Sequence, residues 1–131
     1  MVETLMVEAL DLLWLPACAA LLLVGLSNTP AARQNSPAPL VVEIAAERFA
    51  FTPSEIRVKA GTPLEIRLRS DDTAHGFRII GTDVNIELPK RGRGVATVTF
   101  QPPKAGRYTF ECSLICGAGH EFMRGVIIVT E

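Results

Sequence analysis

Leu64, Ile66 and Leu68 alternate with Glu65, Arg67 and Arg69, so every second side chain is apolar and its neighbours are charged. A period of two puts the apolar set on one face of a strand and the charged set on the other; a helix would scatter both sets around its axis. Short runs of similar character recur at 41–47, 55–59, 77–80, 84–88, 94–100, 106–111 and 125–130. Gly61-Thr62-Pro63, Gly81-Thr82-Asp83 and the stretch from Pro102 to Gly106 separate them as turns. Eight short strands within 40–131, with no 3.6-residue stripe, predict an all-β, two-sheet antiparallel sandwich. The core of so small a domain is thin, and a metal joining distant strands would reinforce it.

The chain ahead of these strands has a different character. Residues 12–32 carry no charge, and Leu12 to Leu26 read LLWLPACAALLLVGL. That uncharged run approaches the ~20 apolar residues needed to cross a bilayer, and Pro16 is tolerable near its start. No Lys or Arg precedes it, whereas Glu3, Glu8 and Asp11 do, which departs from a secretory signal. Residues 1–26 are therefore expected to form one N-terminal hydrophobic helix that anchors the chain in a membrane, with a cleaved signal as the alternative. Residues 27–39, SNTPAARQNSPAP, hold three prolines and read as an extended tether. The remaining 12 basic and 11 acidic side chains give residues 40–131 a net charge of +1, too little for a nucleic-acid partner. A length of 131 residues leaves no room for a two-domain enzyme or a multi-span membrane machine.

The chemistry concentrates in Cys112-Ser113-Leu114-Ile115-Cys116-Gly117-Ala118-Gly119-His120-Glu121-Phe122-Met123. Two thiols, an imidazole and a thioether fall within 12 residues, and a second imidazole, His75, lies 37 residues upstream of Cys112. The chain's only two histidines and the domain's only two cysteines belong to this set. Thiolate and thioether sulfur are soft ligands suited to copper, and imidazole serves copper too. A single Cys would suffice for a mononuclear blue-copper site. Two thiolates can instead bridge two copper ions, spreading one unpaired electron over both and leaving little open coordination for a substrate.

Other readings stand beside this one. Cys112 and Cys116 could form a disulfide, since an exported domain permits it, and two Cys with two His could hold structural zinc. Met123 could be core filler and His75 a satisfied polar residue at a strand end. Gly117 and Gly119 suit a tight turn between Cys116 and His120. Phe122 fits either a shield over the sulfurs or ordinary core. Lys90-Arg91-Gly92-Arg93 is a basic turn, a solvated loop by default and a contact for a partner subunit or lipid headgroups in the sharper reading.

The pattern of His75, then Cys-x-x-x-Cys-x-x-x-His-x-x-Met over 112–123, resembles the dinuclear copper A domain of cytochrome c oxidase subunit II, a cupredoxin-like Greek-key β-sandwich. The similarity is greatest to subunit II of the B-type (ba-type) haem-copper oxidases, which is short and has a single N-terminal membrane helix. His75-Gly76-Phe77, the stretch from Gly81 to Glu87, and Gly106-Arg107-Tyr108 carry the resemblance further. It implies that Cys112 and Cys116 bridge two copper ions in a mixed-valence centre and that His75 and His120 each ligate one. Met123 would be the weak ligand of one ion, and the main-chain carbonyl of Leu114 that of the other. Many members hold Glu where this chain has Leu114, and that Glu helps to bind magnesium; no magnesium site is expected here. The Trp-rich segment of longer members is also absent, with Phe49 and Phe51 the only aromatics near its place.

The implied function is that of the electron-accepting subunit of a cytochrome c oxidase, taking electrons from cytochrome c and passing them to haem in subunit I. The chain itself would not reduce oxygen. Its domain would face the periplasm or cell exterior of a bacterial or archaeal membrane. The alternative is a stand-alone cupredoxin, tethered or periplasmic, that carries electrons or handles copper.

Overall fold

The alternating segments form strands that pack face to face. The structure, a computed structural model, describes residues 37–131, and the expected membrane helix and most of the tether lie outside the described residues. Nine strands follow in order: β1 (Leu40–Glu47), β2 (Ala50–Thr52), β3 (Glu55–Lys59), β4 (Leu64–Ser70), β5 (His75–Ile79), β6 (Asn85–Leu88), β7 (Ala96–Phe100), β8 (Gly106–Glu111) and β9 (Arg124–Thr130). One sheet has the order β2-β1-β4-β7 and the other β3-β9-β8-β5-β6. Among the described residues, no helix is long and apolar enough to cross a membrane.

The core is made by the inward rows of both sheets. Ile44 and Ala46 of β1 and Leu64, Ile66 and Leu68 of β4 face Ile56 and Val58 of β3, Phe77 and Ile79 of β5, Phe110 of β8, and Ile127 and Val129 of β9. Three rings sit at its centre, with Phe51–Phe77, Phe51–Phe110 and Phe77–Phe110 centroids 5.7, 5.4 and 5.2 Å apart. Spacings of that size are those of favourable edge-to-face and tilted aromatic pairs.

Two features depart from the sequence expectation. The sheets are mixed: β1 runs parallel to β4 and β3 parallel to β9, while the other pairs are antiparallel. Alternation reports which face a residue takes and is the same for either strand direction, so the period alone does not resolve this. The ninth strand, β2, is only three residues long; Phe51 is its single buried side chain, too little to show a period.

Candidate metal centre

Three inward rows run off the ends of their strands at the same place. In β5 the buried side chains Ile79 and Phe77 are followed, two residues earlier, by His75. In β8 the row through Phe110 continues to Cys112, and in β9 the row through Ile127 and Gly125 continues back to Met123. The antiparallel ladder of β8 and β9 pairs Glu111 with Arg124, and the Cys112 N–H donates to the Met123 carbonyl at 3.0 Å, one rung further. The regular alternation of the sheet thus delivers an imidazole, a thiol and a thioether to one end of the core. Cys116 and His120 come from the intervening loop, His120 opening a one-turn 3-10 helix at His120–Phe122.

All six residues expected to be ligands are placed at this end. His75 and Met123 are fully buried, and Cys112 and Cys116 are 4% and 7% exposed. A His75 ring nitrogen, Cys112 Sγ and Cys116 Sγ all lie within 4.8 Å of one another. The two sulfurs are 3.8 Å apart and both thiols are free, far beyond the ~2.05 Å of a disulfide. Cys116 Sγ is 3.9 Å from His120 Nδ1 and 3.9 Å from Met123 Sδ. The Leu114 carbonyl oxygen is 3.1 Å from Cys112 Sγ, and the Gly76 N–H donates to that sulfur at 3.4 Å. Phe122, by contrast, is 74% exposed, so it neither shields the sulfurs nor joins the core; Ile115 is likewise exposed.

Asp72 is a neighbour that ligand spacing did not single out. Its Oδ1 lies 2.6 Å from His75 Nε2. His75 Nδ1 is buried and has no hydrogen-bond partner among the described residues. A buried imidazole whose one nitrogen is engaged by a carboxylate, while the other is unpartnered beside two thiols, matches the usual arrangement of a metal-ligating histidine. Burial acts to raise the pKa of Asp72, but the hydrogen bonds from His75 and from the Thr73 and Arg48 N–H groups, with the charge of His75, outweigh it and hold the carboxyl below its ordinary value. Cys116 moves the other way. Burial, then the hydrogen bond and charge of Cys112, then the charge of Asp72, push its thiol up to about 11. A metal loaded here must therefore displace a firmly held proton. The donor set of two thiols, two imidazoles and a thioether fits copper better than zinc, which has no use for the thioether.

The loop glycines have a second reason to be glycine. A Cβ on Gly117 would stand 2.9 Å from the Phe49 ring, and one on Gly119 would collide with the same ring. The residues that sequence reasoning passed over are thus Asp72, Arg48 and Phe49. Only Asp72 carried a signal, a carboxylate three positions before a candidate ligand in a polar run.

Known proteins share these features. The Cupredoxin-like domain family matches residues 16–129. Cytochrome c oxidase subunit 2 of Thermus thermophilus is 35% identical over 99 residues, which are 75% of this chain and 71% of that protein. Subunit 2 from a second strain of the same species is also 35% identical over 99 residues, and the match spans 57% of its length. A chain of a haem-copper terminal oxidase dimer solved by cryo-EM superposes with a TM-score of 0.62 at 30% identity, covering 69% of this chain and 64% of that one.

Proposed function

The chain belongs to the cytochrome c oxidase subunit II family, through its cupredoxin-like domain, and from that premise we propose that it is the electron-accepting subunit of a haem-copper oxidase. In this reading two copper ions are held by His75, Cys112, the Leu114 carbonyl, Cys116, His120 and Met123. Bound there, a thiolate-bridged, mixed-valence pair of coppers would supply a one-electron couple shared between both metals. The chain's own residues supply the rest. The rung between Cys112 and Met123 and the first residue of β5 fix three donors on sheet backbone. Burial of both thiols, His75 and Met123 keeps water from the donor atoms. His120 is only partly buried and gives electrons a path to the surface.

Cytochrome c is the donor in this reading and haem in a separate subunit I the acceptor, so oxygen chemistry belongs to that partner and not to this chain. Leu114 offers only a carbonyl, so magnesium is not part of the site. Residues 1–26 would anchor the chain, 27–39 would tether it, and 40–131 would carry copper on the periplasmic or outer side.

The observation that carries the proposal is the convergence of buried Cys112, Cys116, Met123 and His75, the last with an unpartnered Nδ1. Copper content and electron spin resonance of the full chain, purified from its native membrane, test it. Two coppers per chain with a mixed-valence signal are expected, and Cys112→Ser abolishes that signal. An unchanged signal in the variant would refute the shared-thiolate assignment. Copper loading without a co-purifying haem-bearing partner would select the stand-alone carrier instead.

A further inference from the structure

Two segments carry the ligands, one ending at His75 and the other running from Cys112 to Met123, and a third segment touches both. This is the turn between β1 and β2, at Arg48 and Phe49. The Arg48 main-chain N–H donates to Asp72 Oδ2 at 3.0 Å, while Asp72 Oδ1 engages His75 Nε2 at 2.6 Å. The Arg48 side chain reaches the other way, its Nε donating to the Cys116 carbonyl at 2.8 Å. Phe49 lies against Gly117 and Gly119 of the same loop. Asp72 is also held from its own side: its N–H donates to Ser70 Oγ at 3.2 Å and its carbonyl accepts the Arg91 N–H at 3.1 Å. The basic turn at 90–93 is thereby tied to the metal end of the domain.

We propose that Asp72 and Arg48 are positioning residues of the metal centre, linked through one carboxylate. A neutral imidazole carries its proton on either nitrogen, and its hydrogen-bond partner decides which. An ionised carboxylate only accepts, so Asp72 keeps the proton of His75 on Nε2 and leaves the Nδ1 lone pair for a metal. Arg48 acts on the other side by holding the Cys116 carbonyl to the same turn that holds Asp72. The spacing between the His75 and Cys116 donors is then set by a hydrogen-bonded bridge, Asp72 to Arg48 to Cys116. The metal part of this assignment rests on the copper reading given above. The tautomer part does not.

The test uses the full chain with Asp72→Asn and Arg48→Ala. Nitrogen-15 NMR of the metal-free protein reads the tautomer directly: His75 is expected as Nε2–H alone. In D72N the amide offers a donor as well as an acceptor, so an Nδ1–H population appears. Copper retention against a competing chelator falls about 10- to 100-fold in D72N, the usual effect of removing such a partner. Loss of the nearby negative charge also shifts the redox potential of the copper-loaded variant in the positive direction. R48A keeps the main-chain bond to Asp72, so the tautomer stays Nε2–H while copper retention falls. An Nδ1–H tautomer in the wild-type metal-free protein overturns the Asp72 assignment without recourse to any variant. Copper retention within about twofold of wild type in R48A overturns the Arg48 assignment, since a lost partner of this kind costs more than that. A wild-type chain that takes up no copper sinks the copper reading, yet leaves the NMR result to decide the role of Asp72.

Discussion

A methyl group on residue 76 would stand 2.5 Å from the Leu114 nitrogen and 2.8 Å from that of Ser113. Those are main-chain atoms of the metal loop, fixed by the Cys112 rung, and they have no rotamer by which to move aside. Gly76→Ala should therefore push the Cys112–Leu114 segment off β5, cost on the order of 2 kcal/mol of stability, and lower copper occupancy. Denaturant unfolding and copper analysis check both. The position illustrates what was legible residue by residue. The donors were readable because Cys, His and Met are scarce and their spacing is chemical. Gly76 entered only through the resemblance of His75-Gly76-Phe77 to a known stretch, because a close approach between two segments leaves no mark on local pattern. Arg48 was less readable still: its contact with Cys116 spans 68 residues, and a lone arginine in a β-turn implies nothing about a metal.

The strands divide the charged residues into two kinds. Glu65 with Arg67 and Glu55 with Arg57 pair along a single exposed strand edge, two residues apart, so they join nothing that the backbone does not already join. Arg78 and Glu111 are different. They face one another across β5 and β8, with Arg78 Nε donating to Glu111 Oε1 at 2.9 Å, and Glu111 is the less exposed partner. A double-mutant cycle on Arg78 and Glu111 should give a coupling of about 0.5 kcal/mol, and the same cycle on Glu65 and Arg67 a value near zero, as for most exposed pairs. Equal couplings would contradict this division. Most strand positions followed from alternation, including β4, where three apolar side chains interleave with charges. Strand direction did not follow, since β1 against β4 and β3 against β9 show the same alternation in either sense.

At the scale of the whole domain, the metal loop and the core are one continuous structure. Phe77 and Phe110 lie two positions from His75 and Cys112 on the same inward rows, and both rings pack on Phe51. Phe51→Ala, made on the opposite sheet and touching no donor, should therefore lower stability by roughly 3–5 kcal/mol and broaden the copper spectrum as the rows loosen. Thermal unfolding with spectroscopy on the same sample reads the two effects together. A destabilised variant with an unbroadened spectrum would show that the loop holds its shape without the core. The class of fold was legible at this scale from strand count and turn spacing, whereas the meeting of three rows at one end required knowing which strands are neighbours.

The rung shared by Cys112 and Met123 has a kinetic meaning as well. Strand ends are where a sheet first frays, and this sheet keeps its donor atoms at such an end. A bound ion would close the seam where opening begins. Amide exchange should then slow on metal loading as a gradient, steep at Cys112 and Gly125 and fading toward Gly106 and Val129 at the far end of the same ladder. The ion would be released by the breathing of one edge, long before the molecule as a whole lets go.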